Sequence, residues 1–387
     1  MSDDSRRARF ADSIIFVILG TVFATWAVRI PAVSSTYGLS SGDIGIALLG
    51  LAGGSIIGLM TSGGLVSRYG GQHVIRAGLF VYCLTLPLIT FGDGFTTLIA
   101  ILVVFGFGKG LIDVAANAQG VRIERKYSGQ IMGSFHGLFS GGGLLGAGVG
   151  AIATGLGLSI RTHFMLVGIS LLIVGIVISL GLLAGTSSSA SGPAFALPSR
   201  NLLGFCAIGF CALFIEGVGN DWSAVFLENA AGASPTVAAL GFAVFSLMMM
   251  IGRFFSDRIV GRLGARQFIR VVAGIAIAGI VLTLVGETII SLIGFGLLGI
   301  GLAGIMPVTL SLVGNHDSTT STETAVASVS TAGYGVFAVG PVAIGLITEA
   351  TSLRVAFVPA LMLAVFIMLL TVTLPTITRT AHEEAAA

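Results

Sequence analysis

Apolar segments of about 20 residues recur along the whole sequence and constrain its fold more than any other feature. A helix of that length crosses the hydrocarbon core of a bilayer. Only 9% of the 387 residues are charged, whereas soluble domains contain about 25%. The sequence therefore predicts a protein embedded in a lipid bilayer. The segments lie at about 11–36, 43–66, 74–92, 95–118, 130–155, 162–184, 201–227, 235–257, 267–286, 289–313, 324–348 and 352–374.

A polar stretch, GTSSSASGPAFALPSR at 185–200, divides these segments into two sets of six. Serine, glycine and proline at this density are typical of a loop. We therefore predict an all-α membrane protein with twelve transmembrane helices in two pseudo-symmetric six-helix bundles. The bundles are residues 1–184 and 201–387, joined by a cytoplasmic linker at 185–200.

Short motifs recur between the two sets at an almost constant offset. DIGIA (43–47) aligns with ALGFA (239–243), and RYGGQHVIR (68–76) aligns with RLGARQFIR (262–270). Trp26 aligns with Trp222 in the same way. A weak repeat of half the chain length is typical of transporters built from two related halves, with the binding site between them.

The distribution of Lys and Arg predicts the orientation of the chain. With both termini in the cytoplasm, the inner loops and tails hold most of the 19 cations, as the positive-inside rule requires. The outer loops hold Arg161 and Arg354, while Arg29 and Lys109 fall within spans. The cations assigned to the inner side are Arg6, Arg7, Arg9, Arg68, Arg76, Arg122, Arg125, Lys126, Arg200, Arg253, Arg258, Arg262, Arg266, Arg270 and Arg379.

The basic turn GGLVSRYGGQ, between the second and third segments, resembles the signature G-x-L-x-D-R-x-G-R of the major facilitator superfamily. Ser67 replaces the aspartate of that signature, and Gly71 replaces its last arginine. The second set carries GRFFSDRIVGRLGAR, with Asp257 about one turn earlier than the signature places it. The resemblance implies that these residues latch the cytoplasmic side. The implied cytoplasmic gate is Arg68, Asp257, Arg258 and Arg262.

Further motifs resemble the MosC-like branch of that superfamily. They are ATWAVRIPA (24–32), DVAANAQG (113–120), SFHGLFSGGGLLGA (134–147), EGVGNDWS (216–223), IGRFFSDR (251–258) and TAGYGVFAVGPVAIG (331–345). The branch implies the two-bundle fold and a permease of the inner (plasma) membrane. Its named example is associated with a modified inositol, which implies a polyol-like cargo. Lys109 departs from the pattern, in which a small or uncharged residue is expected.

Polar residues inside the fourth segment are the first candidates for a site. A charge in hydrocarbon costs about 2.5–3.5 kcal/mol on insertion scales, so it needs a partner or a hydrated surface. Lys109, Asp113 and Asn117 follow one another at four-residue intervals and are expected to form one polar stripe. Asp113 would bind a proton or the substrate. Alternatively, Lys109 and Asp113 merely neutralise each other. His136 is expected at a similar depth, as a partner of Asp113 or as a packing residue.

The seventh segment supplies the other candidates. Glu216 and Asn220 share a helix face, and Asp221 is expected near the level of Arg29. An Arg29–Asp221 pair would form an outer gate, unless both side chains reach to the interface instead. A carboxyl group removed from water can load and release a proton near neutrality. Glu216 ranks above Asp113 as the proton carrier, because Lys109 would keep Asp113 ionised.

Three aromatic residues, Trp26, Trp222 and Tyr334, are candidates for a surface on which a sugar ring stacks. The alternative is that they anchor helices at the membrane interface, where tryptophan and tyrosine are enriched. We therefore list them as candidate cavity residues beside the charged groups.

These observations predict a secondary active transporter rather than an enzyme. We expect it to move a small polar solute, such as a sugar, a polyol or a related metabolite, across the inner membrane by alternating access coupled to protons. A multidrug or metabolite exporter is one alternative, and a membrane sensor or scaffold without transport is another. No nucleophile–base pair or metal-ligand set is evident. We therefore expect no cofactor or metal, no nucleic-acid partner, and a monomeric protein that binds a small-molecule substrate and protons.

Overall fold

The computed structural model describes residues 3–126, 131–185, 199–314, 328–329, 332–333 and 335–372, and this part of the chain is helical without a strand. The N-terminal group comprises α1 (Asp3–Ala27), α2 (Ile30–Tyr37), α3 (Ser41–Tyr69), α4 (Gly71–Leu88), α5 (Phe95–Glu124), α6 (Met132–Gly155) and α7 (Ile160–Ser179). The C-terminal group begins with a 3₁₀ turn (Arg200–Leu202) and continues as α8 (Leu203–Asn229), α9 (Pro235–Leu263), α10 (Ala265–Val285), α11 (Thr288–Leu302), α12 (Ile305–Gly314), α13 (Val336–Ala350), α14 (Leu353–Ala356) and α15 (Val358–Leu370).

Within these described ranges, 10 helical segments are long and apolar enough to cross a membrane. The third predicted segment corresponds to α4, with 18 residues, and the eleventh to α13, which includes the shorter apolar stretch Val339–Ala350. Large apolar side chains such as Ile152 and Leu166 are exposed. An apolar exterior of this kind is typical of a surface that faces lipid. The predicted multi-pass membrane architecture is confirmed.

Two predicted spans are broken by proline. The first span ends as α1 at Ala27 and resumes as α2 at Ile30, just before Pro31. Proline lacks the N–H that would bond to the carbonyl of residue i−4, which for Pro31 is that of Ala27. The prediction of one unbroken helix over 11–36 is therefore wrong. The tenth span is likewise interrupted between α11 and α12, about four residues before Pro307, which has no N–H to donate to the carbonyl of Ala303.

Glycines allow α3 and α5 to pack with their backbones in contact. A Cβ atom at Gly54 would meet the carbonyl of Val103, and one at Gly58 would meet that of Phe107. Small residues let membrane helices approach closely, because van der Waals packing stabilises their association. Any larger side chain at these positions would separate the helices.

The sequence repeat at the basic turns is also a structural repeat. Gly70 joins α3 to α4 with φ +85°, and Gly264 joins α9 to α10 with φ +76°. Glycine adopts such positive φ values without the steric cost that a Cβ atom imposes. The two groups thus turn between equivalent helices in the same way.

The two groups meet along two helix pairs, α6 with α9 and α3 with α13, and α8 also touches α1 and α2. Near the start of α3, a Cβ at Gly45 would lie 2.7 Å from the Pro341 carbonyl. Ser40 Oγ lies 3.3 Å from Glu349 Oε2 at the same end. The exact boundaries of the predicted bundles stay a prediction, since residues 186–198 of the linker are outside the described part.

Candidate functional site

The polar stripe on α5 has a definite geometry. Lys109 Nζ lies 3.7 Å from Asp113 Oδ2, and Asn117 Nδ2 donates to Asp113 Oδ1 at 3.1 Å and to the Asp113 carbonyl at 2.8 Å. Helical periodicity places residues four apart on one face, so the three polar groups stack along α5. The Lys109 and Asp113 side chains are 19% and 35% exposed. They are therefore partly accessible rather than sealed in the core.

The Lys109 end of this stripe approaches α1. Lys109 Nζ lies 5.9 Å from the centre of the Phe23 ring on α1. The ammonium group thus lies near a carboxylate of its own helix and near the face of an aromatic ring on α1.

Glu216 on α8 is paired with Arg253, a cation that the predicted orientation assigns to the inner loops. Arg253 Nη2 lies 3.3 Å from Glu216 Oε1, and Arg253 Nη1 donates to Ser140 Oγ of α6 at 2.9 Å. Arg253 is about 15 Å from the end of α9 at 1.5 Å per residue, so its assignment to a loop is wrong. Its position inside the predicted span 235–257 was the signal available.

His136 on α6 lies one turn before Ser140, the residue of α6 that binds Arg253. Its ring is exposed and sits 5.6 Å from the centre of the Phe16 ring in an edge-on contact. Ser140, one turn later on α6, donates from Oγ to the His136 carbonyl and accepts from Arg253. His136 thus lies one turn from the residue that binds Arg253, and its pairing with Asp113 stays a prediction.

Arg29 is not paired with Asp221 in this structure. It lies at the break between α1 and α2, is 6% exposed, and donates from Nε to His163 Nδ1 at 3.2 Å and from Nη2 to the Leu158 carbonyl at 3.0 Å. Both partners belong to the N-terminal group. The expected Arg29–Asp221 contact is therefore replaced by an Arg29–His163 contact. Sequence reasoning overlooked His163, although a histidine in an apolar span is a recognisable signal.

Asp221 and Asn220 are half-buried on α8. Of the two ion pairs among the described residues, neither includes Asp221, and its carboxylate accepts no hydrogen bond from any described group. Asp221 therefore differs from Asp113 and Glu216, each of which has a cation within 4 Å.

The predicted aromatic surface is closed off in this conformation. Trp26 and Trp222 are 2% and 1% exposed, and their indole N–H groups have no acceptor within the described part of the chain. Tyr334 lies outside the described residues. The two tryptophans therefore occupy the core of their groups rather than an open surface.

The cations of the predicted cytoplasmic gate are exposed. Arg68 ends α3 and stacks on Tyr69 at 5.2 Å, whereas Arg258 and Arg262 project from the last turns of α9. None of the three forms an ion pair with a described residue. Asp257 lies in α9, but its side chain is outside the described part.

The charged groups of three helices are named together as the charged cluster: the Lys109–Asp113 pair of α5, the Glu216–Arg253 pair of α8 and α9, and Asp221 on α8. The bond from Arg253 to Ser140 of α6 joins the second pair to the other group. Such a cluster can bind a polar molecule, orient it and exchange protons with water. Among the residues described, no group of three metal-ligating side chains occurs.

Comparison with known proteins identifies the family. The model of the Major Facilitator Superfamily matches residues 13–214. An uncharacterized MFS-type transporter of Yersinia pestis is 35% identical over 348 residues, which are 89% of this chain and 90% of the relative. Membrane protein MosC of Rhizobium meliloti is 30% identical over 341 residues, 87% of this chain and 83% of MosC.

Two solved structures share the fold at low sequence identity. The nucleoside transporter NupG superposes with a TM-score of 0.74 at 14% identity, over 95% of this chain and 99% of NupG. A bacterial homologue of the human lysosomal transporter Spinster, inward-facing and occupied, superposes with a TM-score of 0.70 at 15% identity, over 96% and 97% of the two chains. Family model, relatives and fold agree: this chain is a membrane transporter, not an enzyme, and belongs to the Major Facilitator Superfamily.

Proposed function

We propose that this protein is a secondary active transporter that moves a small, uncharged, hydroxyl-rich solute across the inner membrane by alternating access, coupled to protons. The observation that carries the proposal is the charged cluster at the interface of the two groups. Its five charged side chains come from three helices that cross the membrane. Retaining so many charges inside a bilayer is costly, so they are expected to serve transport.

The cluster favours a hydroxylated solute over an anion or a lipophile. Its carboxyl groups outnumber its cations by three to two, so an anion would meet more acidic groups than cations. A hydroxyl group instead donates to a carboxylate and accepts from Lys109 or Arg253. A lipophilic molecule would leave these groups desolvated without partners.

The contacts between the groups support an inward-open conformation for this transporter. The predicted orientation puts the contact of Gly45 with α13, and that of Ser40 with Glu349, on the outer side. It puts the exposed Arg68, Arg258 and Arg262 on the inner side. Contact at the outer ends, together with exposed arginines at the inner ends, is what alternating access predicts for the state that releases solute inward.

The test is a ligand screen by thermal shift, followed by uptake. Purified protein is melted with sugars, polyols, carboxylates and lipophilic dyes, since a ligand that binds the folded state raises the melting temperature. We expect shifts from neutral polyhydroxy compounds, and accumulation of the same compounds in proteoliposomes when a pH gradient is applied.

The matched controls separate the cluster from the rest of the surface. Arg253→Leu should lose the ligand-induced shift, whereas Leu166→Val, at an exposed apolar position, should keep it. Shifts from lipophilic dyes alone would contradict the proposed substrate class. Uptake that is indifferent to the pH gradient would contradict proton coupling.

A further inference from the structure

We propose that a cavity in the N-terminal group binds the headgroup of a phospholipid, with the phosphate at Arg161 and the acyl chains on the apolar surface of α4 and α7. The cavity has a volume of about 270 Å³ and is lined by α2, the end of α4 and the start of α7. The predicted orientation places it on the outer side of the membrane. The proposal goes beyond transport, because the ligand is a component of the bilayer rather than the transported solute.

The cavity is bordered by a cation with free hydrogen-bond donors. Arg161 is exposed, its guanidinium lies 4.2 Å from the centre of the Phe91 ring, and Nη2 donates to the Thr90 carbonyl at 3.1 Å. These contacts hold the guanidinium in place, while Nε and Nη1 donate to no described group. Arg161 also belongs to neither ion pair among the described residues. A planar guanidinium with free N–H groups matches a phosphate, which it can bind through two parallel hydrogen bonds.

The hydroxyl groups of the cavity select the rest of the headgroup. Thr36 Oγ1 donates to the Ala32 carbonyl at 2.8 Å, and Thr90 Oγ1 donates to the Pro87 carbonyl at 2.9 Å. Each hydroxyl has thereby used its proton and can only accept a further hydrogen bond. Ethanolamine and glycerol headgroups carry the N–H or O–H donors that these acceptors need, whereas choline carries none. Asp93, an exposed acid in the loop after Thr90, makes this end less attractive to a free phosphate ion.

The acyl chains have an apolar surface next to the cavity. α4 and α7 pack against each other, and both present apolar side chains to the outside. Arg161 lies in the first turn of a 20-residue span, so its guanidinium is expected at the level of the headgroups. A phospholipid that lies along this surface therefore brings its phosphate to Arg161. The side chains, which are 41–60% exposed, are Leu84 and Leu88 on α4 and Leu166, Ile169 and Ile173 on α7.

The C-terminal group carries the same motif in a different environment. SIRTHF (159–164) at the start of α7 aligns with SLRVAF (352–357), which includes α14. The arginine of the second motif, Arg354, donates to the Ala230 carbonyl at 3.2 Å. Its guanidinium also packs on Gly286, where a Cβ atom would collide with it. This arginine is thus packed on the backbone, whereas its equivalent in α7 borders a cavity, and it provides a matched control.

The test is the melting of purified, delipidated full-length protein in detergent with added lipids. A headgroup in the cavity contacts α2 and α7 of the folded state, and such a ligand raises the melting temperature. We expect the largest shifts from dioleoyl phosphatidylethanolamine and dioleoyl phosphatidylglycerol, and a smaller one from dioleoyl phosphatidylcholine. Dioleoylglycerol, which has the same chains without the phosphate, should have the least effect of the lipids. Inorganic phosphate and glycerol phosphate should have none.

Three variants locate the effect. Arg161→Gln should raise the lipid concentration that gives half of the maximal shift by about fivefold, which is the contribution of one arginine near an anionic lipid surface. Arg354→Gln should leave that concentration unchanged. Thr36→Trp, at an exposed position of α2, fills the cavity without altering the cation and should abolish the shift, so it decides the matter if Arg161→Gln does not fold.

Several results would overturn the proposal. They are the absence of a shift with phospholipid, an equal shift with dioleoylglycerol, and equal half-maximal concentrations for Arg161→Gln and the unmodified protein. An undiminished shift in Thr36→Trp would also exclude this cavity as the site. A shift of the same size from inorganic phosphate would replace the lipid by a free anion. These outcomes do not depend on which solute the protein transports.

Discussion

The two ion pairs of the cluster are built in opposite ways. Lys109 and Asp113 lie four residues apart on α5, so one helix determines their contact. Glu216 and Arg253 lie on α8 and α9, and Arg253 also reaches Ser140 on α6 of the other group. The first pair is local, while the second depends on how three helices pack. Changes to the second pair should therefore disturb the whole molecule more.

The largest effect is expected from Arg253→Leu. Removal of the guanidinium leaves Glu216 without its cation, and breaking a buried pair costs about 3–5 kcal/mol. We expect a loss near the lower end, about 3 kcal/mol, because the Arg253 and Glu216 side chains keep 18% and 20% exposure. A thiol-reactive dye can follow the melting, since Cys83, Cys206 and Cys211 are free and buried.

Two further variants test why Arg253→Leu is expected to be less stable. Replacing Glu216 by leucine in the same molecule should recover much of the loss, because no unpaired charge remains. Arg253→Lys should fall between, since lysine lacks the planar fork that binds two partners at once. A melting temperature for Arg253→Leu equal to that of the unmodified protein would show that packing does not depend on the pair.

A smaller effect is expected at the local pair. Lys109→Gln should destabilise the protein more than Lys109→Gln combined with Asp113→Asn, because the double variant leaves no isolated carboxylate. The coupling between neighbouring charges is about 1–2 kcal/mol. Melting of the two single variants and the double variant measures it. Strictly additive losses would mean that the two residues act separately.

The smallest effect is expected from Ser140→Ala. It removes one hydrogen bond to Arg253, at 2.9 Å, and leaves the ion pair with Glu216 intact. The loss should be about 1 kcal/mol. The matched control is Ser170→Ala, since Ser170 Oγ donates to carbonyls of its own helix, and this change should be nearly silent. If the two variants had the same melting temperature, Ser140 would not contribute measurably to the contact between the two groups.

The difference between the pairs also explains what could be predicted. The stripe of Lys109, Asp113 and Asn117 follows from helical periodicity, and the structure has it. Arg253 was counted among loop cations, because the hydropathy of the span did not fix its depth. Its contact with Glu216 joins residues 37 positions apart, and such a contact depends on the packing of α8 against α9.

The predicted contact between Arg29 and Asp221 is absent for a related reason. The prediction places the two residues at the same depth by treating the first helix as unbroken, but Pro31 interrupts that helix beside Arg29. His163, 134 residues away in the sequence, then accepts the Arg29 hydrogen bond. The number of residues between two positions gives their separation along an unbroken helix. It does not give the orientation of the chain after the helix is interrupted.

The sequence by itself determined the membrane environment, the places of the helices and the repeat of the basic turn, because hydrophobic length, helical period and glycine conformation are local properties. The tertiary structure decided which charges meet. Partners such as Glu216 with Arg253 and Arg29 with His163 depend on helix packing and rotation. A charge inside a bilayer must find a partner, but the packed helices select which one.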